Sequence, residues 1–118
     1  MSDFGTFLKI EEVGNCVILN TSYFTVTFRS TESMYCKSLY DKDLLSKVVG
    51  KDINNIYILG RRGFRRFEDE ISIFEKEPYA YPQGEVENIA IYAGRNEIKI
   101  GVLGSLSVTI EPVKASIT

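Results

Sequence analysis

The sequence predicts an α+β domain that is predominantly antiparallel β, with about seven or eight strands in a sandwich or partly closed barrel and one short helix near residues 41–49. Three observations lead there. Thirteen Ile, nine Val and seven Thr are joined by fourteen Tyr and Phe, residue types that favour a pleated, half-buried surface. Runs of alternating polarity are separated by short Gly-containing pairs, the pattern of strands joined by tight turns. A single segment carries helical spacing between a capping acid and a terminal glycine.

Along the chain, Phe7 to Val13 alternates, with Phe7, Lys9, Glu11 and Val13 on one face and Leu8, Ile10 and Glu12 on the other. Gly14-Asn15 then separates it from Cys16 to Leu19, and a Gly/Asn pair supplies the positive φ that hairpin turns need. Tyr23 to Arg29 is a third strand, with Phe24, Val26 and Phe28 inward. Residues 34–40 read as either strand or helix. For the helix, Asp41 or Asp43 caps the start, Leu44, Leu45, Val48 and Val49 fall on one face, and Gly50 ends it. About two and a half turns long, it must pack on the sheet to persist. Ile53 to Leu59 reads as a strand, and so, on balance, does 64–74. Between Glu77 and Gly84, Pro78 and Pro82 predict a loop carrying Tyr79 and Tyr81. Val86 to Tyr92, Glu97 to Leu103 and Leu106 to Glu111 predict a meander of tight hairpins, with 113–118 a flexible tail.

At 118 residues the chain is expected to be one domain, 1–118. It contains no His, so its own side chains cannot form a histidine-based triad, a histidine general base or a His-containing zinc site. Two cysteines cannot form a four-cysteine site, and Cys16 and Cys36 are expected to be reduced thiols packing as small hydrophobes. The start, MSDFGTFLKIEEV, lacks a basic region followed by an apolar run, and no stretch approaches the roughly 20 apolar residues of a membrane span. A cytoplasmic protein without membrane contact is the expectation. Catalytic residues, cofactor and metal are all expected to be none.

The net charge of −2 conceals local polarisation. Gly60-Arg61-Arg62-Gly63-Phe64-Arg65-Arg66 holds four of the six arginines, and Glu68, Asp69, Glu70, Glu75 and Glu77 follow against Lys76 alone. Guanidinium forks suit phosphate or carboxylate, and Phe64 can stack on a base. The plainer alternative is a hairpin whose arginines pair with the neighbouring acids. The acids in turn suit docking to a basic partner, as when a small protein neutralises a basic enzyme. As a catalytic pair they lack support, since neighbours such as Glu68 and Asp69 point to opposite strand faces. Tyr79 and Tyr81 offer interface area at low entropic cost, or one of them folds back over the sheet. Gly101-Val102-Leu103-Gly104-Ser105 resembles a phosphate loop only superficially: the Lys-Ser/Thr pair and a following helix are missing.

These features point to a non-catalytic binding protein of the inhibitor or immunity type, acting by protein–protein contact through Arg61, Arg62, Phe64, Arg65, Arg66, Glu68, Asp69, Glu70, Tyr79 and Tyr81. The alternative is a small nucleic-acid-binding β-domain using the Arg61–Arg66 segment. A homodimer through an unpaired strand edge is a further expectation.

Overall fold

The first strand of the protein changes neighbours after its second residue, and this organises everything that follows. In the computed structural model, which describes residues 4–32, 41–60, 63–67 and 78–113 (81–83 by backbone alone), β1 (Gly5–Val13) pairs through residues 7–13 with β2 (Cys16–Thr21). Through Gly5 and Thr6 it pairs instead with Ile53 and Asp52 of β4 (Asp52–Gly60). β3 (Phe24–Ser30) follows β2, and the helix α1 (Lys42–Val48) precedes β4. Beyond them come β5 (Gly63–Arg66), β6 (Tyr79–Glu85), β7 (Asn88–Ala93), β8 (Asn96–Gly101) and β9 (Ser105–Pro112). All pairings are antiparallel, in the order β6-β9-β3-β2-β1-β4-β7-β8, with β5 added beside β4. The expected mostly antiparallel β architecture with one short helix is thus observed among the described residues, as an open sheet.

Connection lengths show that this sheet rolls on itself. Laid flat at about 4.8 Å per strand, β6 would stand about 29 Å from β7, and β8 as far from β9. Yet Glu85 and Asn88 are only three steps apart in the chain, and Gly101 and Ser105 four, spanning at most roughly 10–14 Å. The ends must therefore approach. At the end of β4 a Cβ added to Gly60 would lie 3.1 Å from Glu85 O at the end of β6, and Glu85, Val86 and Glu87 line one cleft with Val102 and Ser105.

The enclosed faces form one core. In the β2–β3–β9 half, cross-strand register lines up Leu19, Val26 and Ile110, and beside them Val17, Phe28 and Val108. In the β4–β7–β8 half it lines up Ile58, Ile89 and Ile100, and then Ile56, Ile91 and Ile98. All are buried in a single cluster with Phe7, Phe67 and Val48. Such opposed β-branched and aromatic pairs stabilise the ladder as well as the core.

The alternation assigned to β1 is interrupted. Phe7 pairs with Thr21 but Lys9 with Asn20, so Leu8 is an extra residue that shifts the phase by one. Phe7 and Ile10 both face the core, whereas Leu8 is half-exposed. Asp41 caps α1 by accepting from the Asp43 amide (2.8 Å). Val49, expected on the packed face, is exposed, because its backbone (φ −57°, ψ 132°) has already left the helix.

Two further expectations are corrected. The stretch from 77 to 84, expected as a loop, is strand from Tyr79 onward and pairs with β9. Pro82 is accommodated because β6 ends the hydrogen-bonded order and the ladder skips between Tyr81 and Gly84, where a missing N–H costs no pairing. The C-terminal meander is only half realised. β7 and β8 form a hairpin, but β9 pairs with β3 and β6. Gly104 (φ +82°) lies in the crossing between β8 and β9. The ambiguous 34–40 segment, Cys36, residues 68–74 and the tail 114–118 lie outside the described residues. Cys16 is a free, half-buried thiol.

Candidate functional site

The outward face of the β5–β4–β7–β8 half is built from the positions that alternate with the buried isoleucines. Asn55, Tyr57 and Leu59 lie between and beside Ile56 and Ile58 on β4. Asn88, Ala90 and Tyr92 do the same around Ile89 and Ile91 on β7. Register then sets the rows: Phe64, Leu59, Asn88 and Gly101; Arg66, Tyr57, Ala90 and Lys99; Asn55, Tyr92 and Glu97.

Across these rows three rings form a diagonal. Tyr57 meets Phe64 at 6.4 Å with the ring planes 88° apart, and meets Tyr92 at 5.3 Å with the planes 79° apart. Both are edge-to-face contacts, the geometry that aromatic quadrupoles favour. Phe64 is 46% exposed, high for a phenylalanine at the outer end of such a row. Ala90, opposite Tyr57, is fully buried.

Charge is arranged around the rings. The Lys99 ammonium lies 3.4 Å from Glu97, and the Tyr92 hydroxyl donates to the same carboxylate. The Tyr92 pKa is pushed up to about 12, first by that hydrogen bond, which is lost on ionisation, then by desolvation and by the Glu97 charge. Tyrosinate absorbance is therefore expected to develop for Tyr92 near pH 12, and Glu97→Gln to bring it back toward 10. A mid-point unmoved by Glu97→Gln would show that the contact is not made in solution. Because the folded-state value is raised, this contribution to stability is complete below pH 10 and is lost as pH rises toward 12. Asn55 Oδ1, at the end of the third row, is buried with no hydrogen-bond partner among the described residues.

Of the residues singled out from sequence, Phe64, Arg65 and Arg66 lie on β5, with Phe64 and Arg66 on this face and Arg65 exposed. Phe67 anchors the end of that strand, fully buried and edge-on to Phe4 at 6.1 Å. Arg61, Arg62, Glu68, Asp69 and Glu70 lie outside the described residues, as do Glu75 and Glu77. Tyr79 and Tyr81 are on β6, in the other half, opposite Ile110 and Val108. Tyr79 is half-buried against the core. Sequence reasoning missed Tyr57, Tyr92, Glu97 and Lys99. The available signal was a tyrosine at the outward position of an isoleucine-rich strand, in both β4 and β7.

Elsewhere, a cleft of about 420 Å³ lined by Glu85, Val86, Glu87 and Val102 lies where the two halves meet. Among the described residues no group of three His, Cys, Asp or Glu is placed to hold a metal ion, and no helix is long and apolar enough to cross a membrane. Compared with known proteins, the chain matches no family model, no curated protein and no solved structure.

Proposed function

We propose that this is a non-catalytic binding protein of the inhibitor or immunity type, acting in the cytoplasm by protein–protein contact through the outward face of β4, β5, β7 and β8. The observation that carries the reading is the Phe64–Tyr57–Tyr92 diagonal on a solvent-facing sheet. Aromatic residues and arginine are the types that dominate binding energy at protein interfaces, and here Arg66 stands directly opposite Tyr57. A partner surface with an apolar anchor ringed by carboxylates complements the rings together with Arg66; Arg65, and Arg61 and Arg62 close by in the sequence, are the further candidates for such carboxylates.

A nucleic-acid strand is the second reading, favoured by an exposed Phe64 next to Arg65 and Arg66 on one strand. Against it, the rings stand edge-to-face rather than splayed as parallel platforms for successive bases, and Lys99 is held by Glu97.

The test is quantitative binding to the partner isolated from the source cell, with Phe64→Ala and Tyr57→Ala as probes. Each is expected to weaken the complex by roughly 30-fold or more, the 2 kcal/mol of an interface hot spot, with thermal stability nearly unchanged for Phe64→Ala. A complex indifferent to both substitutions removes this face from the interface. If instead an oligonucleotide binds with an affinity that falls steeply with salt, and Arg61→Ala with Arg62→Ala flattens the slope, the second reading replaces the first. Sedimentation at two concentrations separates a homodimer from a hetero-complex.

A further inference from the structure

On the opposite half of the molecule, the β1–β2 turn, the end of β3 and the start of β9 border an open depression of about 370 Å³ lined by Asn15, Arg29, Ser30, Thr31 and Ser107, of which Asn15, Arg29 and Thr31 are exposed. Its walls are pinned. The Ser30 amide donates to Asn15 O (3.1 Å), the Thr31 amide to Ser105 O (3.0 Å) and the Ser107 hydroxyl to Arg29 O (3.4 Å). Ser30 itself is buried, its hydroxyl donating to Leu103 O while accepting from the Glu32 amide. These donors are spent within the wall, which leaves the Arg29 guanidinium, the Asn15 carboxamide and the Thr31 hydroxyl to meet a ligand on a backbone that needs no further ordering.

The lining is chemically one-sided. Among the described residues it holds a guanidinium, a carboxamide and three hydroxyls, and no carboxylate. Arg29 extends from the outward face of β3, opposite Cys16 on β2 and Ser107 on β9, and no carboxylate among the described residues pairs with it. This contrasts with Lys9 and Lys99, each of which has a glutamate within 3.4 Å. A planar guanidinium fork beside hydroxyl and amide donors is the arrangement that satisfies an oxyanion, which accepts several hydrogen bonds at once. The volume falls at the small end of organic-ligand pockets, roughly 300–1,000 Å³, and so exceeds what a bare ion needs.

We propose that this depression binds the oxyanion group, phosphate or carboxylate, of a small organic molecule, with Arg29 as the bidentate donor and Asn15 and Thr31 completing the cradle. The site is independent of the aromatic face, so either can fail without the other.

The experiment is an amide and arginine side-chain NMR titration of the full chain with inorganic phosphate, phosphoserine and acetate in turn. Saturable shifts are expected at Asn15, Thr31, Ser107 and the Arg29 guanidinium. Inorganic phosphate tighter than acetate assigns a phosphate ligand, and the reverse order a carboxylate. Arg29→Gln is expected to weaken binding at least about tenfold, whereas Arg29→Lys, which keeps the charge but loses the fork, falls between. The proposal is overturned if none of the three probes gives saturable shifts at tens of millimolar, or if Arg29→Gln binds as the parent does. Should Arg29→Gln not give a folded spectrum, Thr31→Ala serves in its place, with a few-fold loss expected and an unchanged affinity overturning the proposal.

Discussion

Phe7→Ala is expected to cost about 3–5 kcal/mol of folding stability, the range for truncating a fully enclosed aromatic side chain. Phe7 is 0% exposed, and it sits where β1 leaves one half of the sheet for the other. Its amide donates to Lys51 O (2.8 Å) and its carbonyl accepts from the Gly50 amide (3.0 Å), while across the strand it faces Thr21. The ring therefore fills the seam that both halves share. Because a domain of this size has only about 5–15 kcal/mol of net stability, the loss should shift the urea midpoint strongly with an unchanged slope. Phe7→Leu should cost far less, under about 1.5 kcal/mol. A loss below about 1 kcal/mol for the alanine variant would mean that the seam does not enclose the ring. Circular dichroism can follow the transition, since the chain has no Trp.

Two residues earlier, Gly5→Ala is expected to destabilise by roughly 3 kcal/mol and to lower the melting temperature by about 10 °C. Gly5 has φ +86°, and an added Cβ would collide with Ser22 Oγ and come within 2.9 Å of the Tyr23 ring. Ser22 cannot simply turn away, because its hydroxyl accepts from the Thr6 amide (2.8 Å). The control is Gly14→Ala, whose φ of +58° is also left-handed but whose surroundings are open, so it should cost only about 1 kcal/mol of backbone strain. Equal losses at the two positions would show that the collision at Gly5 is relieved by a cheap shift.

Both predictions concern a feature that the alternation of β1 did not reveal. Read as a regular strand, Phe7 and Ile10 fall on opposite faces; the bulge at Leu8 brings both inward. No residue type at position 8 announces the bulge, which is imposed by pairing with two different partners. Similarly, Pro78, Pro82 and Gly84 carry a strong local signal for a loop, and the signal at Pro82 was overridden because β6 lies at the end of the order and the ladder skips the proline. The strands with strict apolar alternation behaved otherwise. Val26 and Phe28 on β3, Ile56 and Ile58 on β4, and Ile98 and Ile100 on β8 are buried as their period requires. The Asp41 cap and the Gly50 stop of α1 were also readable, being local to one turn.

The candidate face was half legible. Phe64, Arg65 and Arg66 stand out in the sequence because they crowd one short segment. Tyr57 and Tyr92, thirty-five positions apart in the chain, join Phe64 only because β7 pairs beside β4. Likewise, Arg29 is an ordinary outward residue until the β1–β2 turn and β9 border an open polar depression beside it.

What the sequence by itself determined is the strands other than β6, the helix α1, the absence of imidazole chemistry and the polarity of the regularly alternating faces, because each follows from side-chain period, composition or a capping residue. The tertiary structure alone decided which strands meet, where β1 changes halves, and which outward side chains become neighbours. Those depend on pairings between segments far apart in the chain. Two- and three-residue connections across the ends of an eight-strand order leave the sheet no choice but to roll.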